Sequence, residues 1–149
     1  MTLWVASLVL ISDRLTKYIV IKRLLHGQSI IVFPNIFHIT LVLNKGTAFG
    51  LFKDQNVFLI SLSVLAISFI IIHIWLRKAK DALLYLGLGL ILGGAVGNLI
   101  DRIIYGYVID FLDFRIWPVF NIADSSITIG AIILTCRILL TKSKINPKF

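Results

Sequence analysis

Two long apolar runs, at 57–76 and 82–100, constrain this chain more than any other feature of its sequence. Neither contains Asp, Glu, Lys or Arg, and each is long enough to cross the hydrocarbon core of a bilayer as a helix. Backbone polar groups inside a bilayer must be satisfied within the protein, so such runs are helical. With 58% hydrophobic residues and a mean hydropathy of +0.97, the chain is predicted to be an integral membrane protein.

Two further apolar segments, at 2–21 and 125–140, complete a predicted bundle of four transmembrane helices in a single domain, 1–149. The expected fold class is therefore an all-α membrane protein. The first segment has neither the preceding basic residues nor the small-residue cleavage site of a removable signal peptide, which predicts a retained helix. Asp13 and Lys17 lie one helical turn apart in it, so we expect them to form an ion pair.

The segment 27–55, between the first two helices, has the character of β-strands. β-Branched and aromatic residues fill 30–33 and 36–43, and a Pro-Asn turn separates them. This pattern predicts an extracytoplasmic hairpin or small sheet. Its many apolar residues indicate that it lies half-immersed on the bilayer surface, as one wall of a site. A purely structural hairpin with an ordinary turn at 44–46 is the alternative.

Polar residues at the end of the third helix follow a stripe of small residues. A small residue at every fourth position lets another helix approach closely. The stripe consists of Gly89, Gly93 and Gly97. Asp101 continues the stripe one turn further on, and its neighbours in the chain predict an ion pair with Arg102 and a hydrogen bond with Asn98. We therefore expect Asp101 to be a structural support rather than a catalytic acid.

The distribution of basic residues predicts the orientation in the membrane. Four spans place both termini on one side, together with the basic turn at 77–80 and the basic tail at 142–148. The positive-inside rule assigns that side to the cytoplasm. The strand-like segment 27–55 and an outer loop at 101–124 then share the outer face.

Four of the chain's seven acidic residues fall between 93 and 126, where an apolar run ends and another begins. Asp110 has apolar neighbours, so burial should raise its pKa. Asp124 opens the last helix, where the helix dipole favours the charged form. Two carboxylates in such different surroundings can act as an acid and a base, which indicates amide hydrolysis without a covalent intermediate. The alternative makes Asp124 an ordinary N-cap and Asp110 an interfacial loop residue.

Other kinds of chemistry have less support. The single cysteine and the three scattered histidines do not have metal-ligand spacing, so no metal and no cofactor is predicted. Ser125 and Ser126 have no His or Lys nearby in the sequence, which weakens a serine protease. The net charge of +8 comes from basic residues at the ends of apolar runs, a pattern typical of contact with anionic membrane lipid and not with nucleic acid.

A second function class uses the same acids differently. A small proton-coupled transporter or an assembly factor could employ them as a proton relay. A relay needs acids distributed through the membrane, whereas here only Asp13 is predicted to lie well inside a span. The clustering of the other acids at one face favours hydrolysis.

Five motifs, in this order and spacing, resemble those of the bacterial lipoprotein signal peptidase family, also called signal peptidase II. The resemblance extends over nearly the whole chain. The motifs are Asp13-Arg14-Leu15-Thr16-Lys17, Asn44-Lys45-Gly46-Thr47-Ala48-Phe49-Gly50, Gly97-Asn98-Leu99-Ile100-Asp101-Arg102, Val108-Ile109-Asp110-Phe111 and Phe120-Asn121-Ile122-Ala123-Asp124-Ser125.

The resemblance implies an aspartyl endopeptidase of the bacterial cytoplasmic membrane that cuts prolipoproteins just before a diacylglyceryl-modified cysteine. It implies that Asp110 and Asp124 are catalytic, near the outer face. It also implies inhibition by the cyclic peptide antibiotic globomycin. The family positions that line the site or bind substrate fall on Asn44, Gly46, Asn98, Arg102 and Asn121, and a supporting motif falls on Asp13 and Lys17. Thr47 departs from the alanine that is common in the family.

Overall fold

A computed structural model describes residues 1–46, 55–76 and 81–145. Four long helices and three strands make up the described chain. In chain order they are α1 (Thr2–Arg23), β1 (Ser29–Phe33), β2 (Phe37–Asn44), α2 (Asn56–Leu76), α3 (Ala82–Tyr105), β3 (Val108–Asp113) and α4 (Ile122–Ile145). Three predicted features lie outside the described residues. They are the strand-like residues 47–54 with Thr47, the basic turn at 77–80 and the end of the basic tail at 146–149.

The protein is mostly helical, and three of the described helices are long and apolar enough to cross a membrane. They are α2, α3 and the Ile122–Leu140 part of α4. Their outward surfaces carry large apolar side chains, among them Phe69, which is 71% exposed, and Trp75, which is 79% exposed. Such exposure fits a lipid environment, because the surrounding hydrocarbon is as apolar as the side chains.

The three strands form a small antiparallel sheet in the order β1-β2-β3. The predicted hairpin is present, with Asn35 at the turn in the left-handed region at φ 61°. Val20 of α1 and Leu24, the residue that caps its end, pack beneath the sheet against buried residues of β2 and β3. These buried strand residues are Leu41, Ile109 and Phe111. The sheet therefore rests on the end of the first helix.

The prediction of an outer loop at 101–124 is wrong over much of that segment. Helix α3 continues to Tyr105 and ends at Gly106, whose φ of 77° forms a left-handed cap. Strand β3 then pairs with β2, and α4 begins at Ile122, three residues earlier than predicted. The sequence pattern did not predict this third strand. The strand forms because residues 108–113 pair with the edge of β2, and a local pattern does not show such a distant partner.

Helix α3 lies between α1 and α4, and glycines on two of its faces permit the close contacts. A Cβ at Gly93 would lie 2.6 Å from the backbone oxygen of Ala6, and one at Gly89 would lie 2.8 Å from that of Thr2. On the opposite face Gly94 packs against the backbone of Ala123. The predicted packing role of the glycine stripe is confirmed, and α1 is the helix that it contacts.

The other end of α3 is joined to α4 by an ion pair. Asp81 caps α3 by accepting a hydrogen bond from the Leu84 N–H at 2.9 Å, and Arg137 Nη2 lies 2.7 Å from its carboxylate. The hydrogen bond from Leu84, and then that from Arg137, lower the pKa of Asp81. Arg137 thus reaches the start of a helix that is distant in sequence.

The helix contact at Gly130 generates a stability prediction. Gly130→Ala places a methyl group 2.7 Å from the backbone oxygen of Gly87, so α3 and α4 must separate. We expect a loss of about 1–3 kcal/mol from this overpacking, despite the higher helix propensity of alanine. The adjacent residue Ala131 is exposed, and Ala131→Val is the matched control, with an unchanged melting temperature in detergent. Equal melting temperatures for both variants would contradict this packing.

Candidate active site

Four charged side chains from α1 and α3 form a buried ion-pair network, which consists of Asp13, Arg14, Lys17 and Asp101. Lys17 Nζ lies 2.9 Å from Asp13 Oδ2 and 2.7 Å from Asp101 Oδ2. Arg14 Nη2 lies 3.1 Å from Asp13 Oδ2 and 2.6 Å from Asp101 Oδ1. Both carboxylates are completely buried. Two acids and two bases make the network electrically neutral, which is the condition under which buried charges are tolerated.

The predicted ion pair between Asp13 and Lys17 is confirmed, but the predicted partners of Asp101 are wrong. Asp101 pairs with Arg14 and Lys17 of α1 and not with Arg102. Adjacent helical residues point in different directions, so Asp101 faces α1 while Arg102 faces a cavity. The Asn98 amide also turns away and donates its hydrogen bond to Asp124.

The network also holds the backbone directly before two other acids. Asp101 Oδ2 accepts a hydrogen bond from the Ile109 N–H at 3.2 Å, one residue before Asp110. Asp13 Oδ1 accepts one from the Ala123 N–H at 3.1 Å, one residue before Asp124. The two network carboxylates thereby position β3 and the start of α4 relative to one pair of helices.

Asp110 lies in the middle of β3 and is only 1% exposed. Its Oδ2 accepts a hydrogen bond from Asn44 Nδ2 at 2.9 Å, and its Oδ1 accepts one from Asn121 Nδ2 at 2.7 Å. Burial, followed by the negative charge of Asp124, raises the pKa of Asp110 to about 7, although these two amides and the charge of Lys17 act in the opposite direction. The predicted effect of burial on this carboxyl group is confirmed.

Asp124 lies in the first turn of α4 in a reciprocal cap with Asn121. The Asp124 N–H donates to Asn121 Oδ1 at 2.9 Å, and the Asn121 N–H donates to Asp124 Oδ2 at 3.3 Å. Asn98 Nδ2 donates to the other carboxylate oxygen at 2.7 Å. Asn121 is therefore the capping residue, and the alternative that made Asp124 the N-cap is wrong. The pattern of Asn followed three residues later by Asp resembles a capping box.

A cavity of about 770 Å³ brings the candidate residues together. Its polar part contains Asp110, Asp124, Asn44, Gly46 and Arg102. Its apolar walls come from the segment after β3 and from α4, and they include Phe114, Ile116, Trp117, Val119, Phe120, Ile127 and Ile129. Of the remaining predicted residues, Asn98 donates a hydrogen bond to Asp124 and Asn121 donates one to Asp110. Asp13, Lys17 and Asp101 belong to the ion-pair network described above.

Sequence reasoning did not assign the apolar walls of this cavity to the site. The available signal was the run of apolar and aromatic residues at 114–120 in a segment expected to be a loop. Ser125 also lines the cavity, but its hydroxyl donates to the Asn121 carbonyl oxygen at 2.9 Å. Ser126 Oγ donates to the Ala123 carbonyl oxygen at 2.8 Å. Both hydroxyls are thus used within the helix, which favours the carboxylates as the reactive groups.

The fold and the cavity define a class of protein, a multi-pass membrane protein with two carboxylates in one apolar cleft. Comparison with known proteins identifies the family. The family described as signal peptidase (SPase) II matches residues 5–140. The lipoprotein signal peptidase of Halothermothrix orenii is 45% identical over 130 residues, which cover 87% of this chain and 89% of that protein. The enzyme of the same name from Pelotomaculum thermopropionicum is 40% identical over 144 residues, with 97% and 95% covered.

Solved structures give the same result. One, described as a bacterial membrane enzyme at 2.3 Å resolution, superposes with a TM-score of 0.92 at 32% identity, covering 99% of this chain and 93% of that one. The chain belongs to the signal peptidase II family. It is an aspartyl endopeptidase of the inner membrane that removes signal peptides from prolipoproteins.

The buried network generates a prediction about stability. Asp101→Asn leaves the buried Lys17 and the partly exposed Arg14 facing one carboxylate, and we expect it to lower the free energy of unfolding by about 3–5 kcal/mol. Cleavage measured well below the melting temperature should persist. Asp81→Asn is the control, because it keeps the helix cap and removes only the partly exposed ion pair with Arg137, so it should change the melting temperature much less. Unchanged melting of Asp101→Asn together with complete loss of cleavage would contradict this role.

Proposed function

We propose that Asp110 and Asp124 form the catalytic pair and cut the prolipoprotein just before its diacylglyceryl-modified cysteine. One observation carries the proposal. The two carboxylates line the same cavity, and each accepts two hydrogen bonds that hold it in place. No base forms a salt bridge with either of them within the described residues, unlike Asp13 and Asp101, so they are available for proton transfer.

The balance of buried charge supports one shared proton on the pair. The ion-pair network is neutral, which leaves Asp110, Asp124 and the cation of Arg102 around the cavity. One proton on the pair makes this group neutral too. Two close carboxylates cannot easily both ionise in an apolar site. The pKa of about 7 for Asp110 agrees with that state at neutral pH.

The reaction follows from one charged and one protonated carboxyl group. The charged carboxylate takes a proton from a water molecule as its oxygen attacks the scissile carbonyl carbon, while the protonated partner donates its proton to the carbonyl oxygen. A tetrahedral diol intermediate results. The C–N bond then breaks as the first carboxyl passes a proton to the departing nitrogen, and the second recovers its proton from the diol. No covalent enzyme intermediate forms.

The polar groups around the pair are suited to holding an extended peptide. The Gly46 N–H donates to Asn44 Oδ1 at 2.9 Å, which directs the Asn44 amide towards Asp110 at the end of β2. Within the described residues Arg102 forms no ion pair, so its guanidinium group is free to bind substrate carbonyl oxygens. The apolar walls, including Trp117 and Ile127, suit the acyl chains of the lipidated cysteine.

The proposed arrangement in the membrane has four spans, with both termini in the cytoplasm and the cavity near the outer face. Helix α1 qualifies as the fourth span because the charges at its centre are buried and neutralised inside the bundle. The sheet rests half-immersed on the membrane. Exposed apolar side chains at its rim support this placement, with exposed fractions of 63% for Ile31, 60% for Phe33 and 93% for Ile116.

The proton-relay alternative requires unneutralised acids at several depths. The deeper acids, Asp13 and Asp101, are bound by two bases each. The pair at the cavity differs from them, because within the described chain no base forms a salt bridge with Asp110 or Asp124. This distribution supports hydrolysis at one site and not transport across the membrane.

Substitution of the acids tests the catalytic assignment. We expect Asp110→Asn and Asp124→Asn each to abolish cleavage of a purified diacylglyceryl-modified prolipoprotein, because neither variant can both hold and transfer the shared proton. Asp113→Asn is a control from the same strand, since Asp113 binds Thr40 and Arg115 at the sheet edge. Its cleavage rate should stay close to that of the parent protein. Undiminished turnover by either Asn variant would remove that residue from the mechanism.

The pKa of Asp110 predicts the pH dependence. Above a pH of about 7 the pair loses its shared proton, so kcat/KM should fall as the pH increases. At low pH the second carboxyl group is protonated and activity should fall again. The bell-shaped profile belongs to the coupled pair as a whole. A rate that continues to increase above pH 8 would contradict the shared proton.

Inhibition offers a further test of the site. We propose that globomycin-type cyclic peptides occupy the cavity and displace the attacking water from the carboxylate pair. Cleavage of the lipidated precursor should therefore stop when globomycin is added, and the inhibitor should compete with substrate. Inhibition that is independent of substrate concentration would place the inhibitor elsewhere.

A further inference from the structure

Lys17 is a buried cation whose hydrogen-bonding capacity is fully used. Its side chain is 2% exposed, and its ammonium group has three N–H donors. Three acceptors surround it, namely Asp13 Oδ2 at 2.9 Å, Asp101 Oδ2 at 2.7 Å and Asn98 Oδ1 at 3.0 Å. The first two contacts neutralise charge. The third is to a neutral amide and requires a separate explanation.

We propose that Lys17 is a positioning residue for Asp124 and acts by setting the orientation of the Asn98 amide. The proposal deepens the function above and rests on the catalytic role assigned to Asp124. The chain of contacts is short. Lys17 Nζ donates to Asn98 Oδ1, and Asn98 Nδ2 donates to Asp124 Oδ1 at 2.7 Å.

The orientation of the amide follows from donors and acceptors. Asn98 Oδ1 receives hydrogen bonds from Lys17 and from Asn121 Nδ2, the latter at 3.1 Å. A flipped Asn98 would direct its NH₂ group at two donors and its oxygen at a carboxylate. Both contacts would be repulsive, so the amide presents its NH₂ group to Asp124. The ammonium group is the stronger of the two donors because it is charged.

Comparison with Arg14 shows that a cation can neutralise Asp13 and Asp101 without a hydrogen bond to Asn98. Arg14 pairs with the same two carboxylates, Asp13 and Asp101, and donates no hydrogen bond to Asn98. The positive charge of Lys17 also acts on the pair, where it lowers the pKa of Asp110 against the effect of burial. Among the described residues, the other charged group that faces the pair is Arg102 of α3. The two cations therefore neutralise the same two carboxylates, although Arg14 is more exposed, and only Lys17 contacts Asn98.

The experiment compares Lys17→Met with Arg14→Met, using kcat and KM for a diacylglyceryl-modified prolipoprotein over a range of pH. Both variants lose one network cation, so both should melt at lower temperatures. Only Lys17→Met should lower kcat, by on the order of 100-fold for a displaced catalytic group, with KM within about twofold of the parent value. Its alkaline limb should move to higher pH, because a positive charge that favours the ionised pair is gone. Arg14→Met should keep the parent pH profile.

If Lys17→Met does not fold, both substitutions are repeated with Asp13→Asn, which restores the neutrality of the network, and the same difference is expected. Equal losses of kcat and equal pH profiles in the two variants would overturn the positioning role. So would failure of both Lys17 variants to fold while the Arg14 variants fold, since Lys17 would then act in folding. These results are distinguishable from failure of the catalytic pair, which shows as retained cleavage in Asp124→Asn.

Discussion

The buried ion pairs between α1 and α3 are the interaction on which the rest of this structure depends. Asp13 and Asp101 could not be buried without Arg14 and Lys17, because an unpaired charge in an apolar interior costs several kcal/mol. Each of these carboxylates uses an oxygen to hold a backbone N–H that lies one residue before a cavity acid. One electrostatic cluster thus stabilises the bundle and also positions the two carboxylates that line the cavity.

The acids of the site divide into two groups according to whether a base touches them. Asp13 and Asp101 each contact two cations. Asp110 and Asp124 are held by amide and backbone donors, which orient a carboxylate without contributing a full positive charge. Amide donors are suited to a group that must gain and lose a proton. The different partners of the two groups support the proposed acid–base role of Asp110 and Asp124.

Close helix packing makes these short connections possible. Asparagine and aspartate side chains are short, so the hydrogen bond from Asn98 to Asp124 requires α3 and α4 to pack closely. Glycines on opposite faces of α3 allow that approach, as at Gly93 against α1 and Gly94 against α4. The walls of the cavity are formed by α4 and by the residues after β3, and both segments are rich in apolar side chains.

The sequence by itself determined the apolar helices, the hairpin and the glycine contacts, because these follow from periodicity. It also singled out Asp110 as an acid with no basic residue next to it in the chain. Only the tertiary structure decided the partners of Asp101, the third strand and the capping role of Asn121. Adjacent positions on a helix diverge by about 100°, so Asp101 and Arg102 serve different sites despite being neighbours. Strand β3 and the placement of Asp110 and Asp124 at one cavity depend on contacts between distant parts of the chain, which no local pattern encodes.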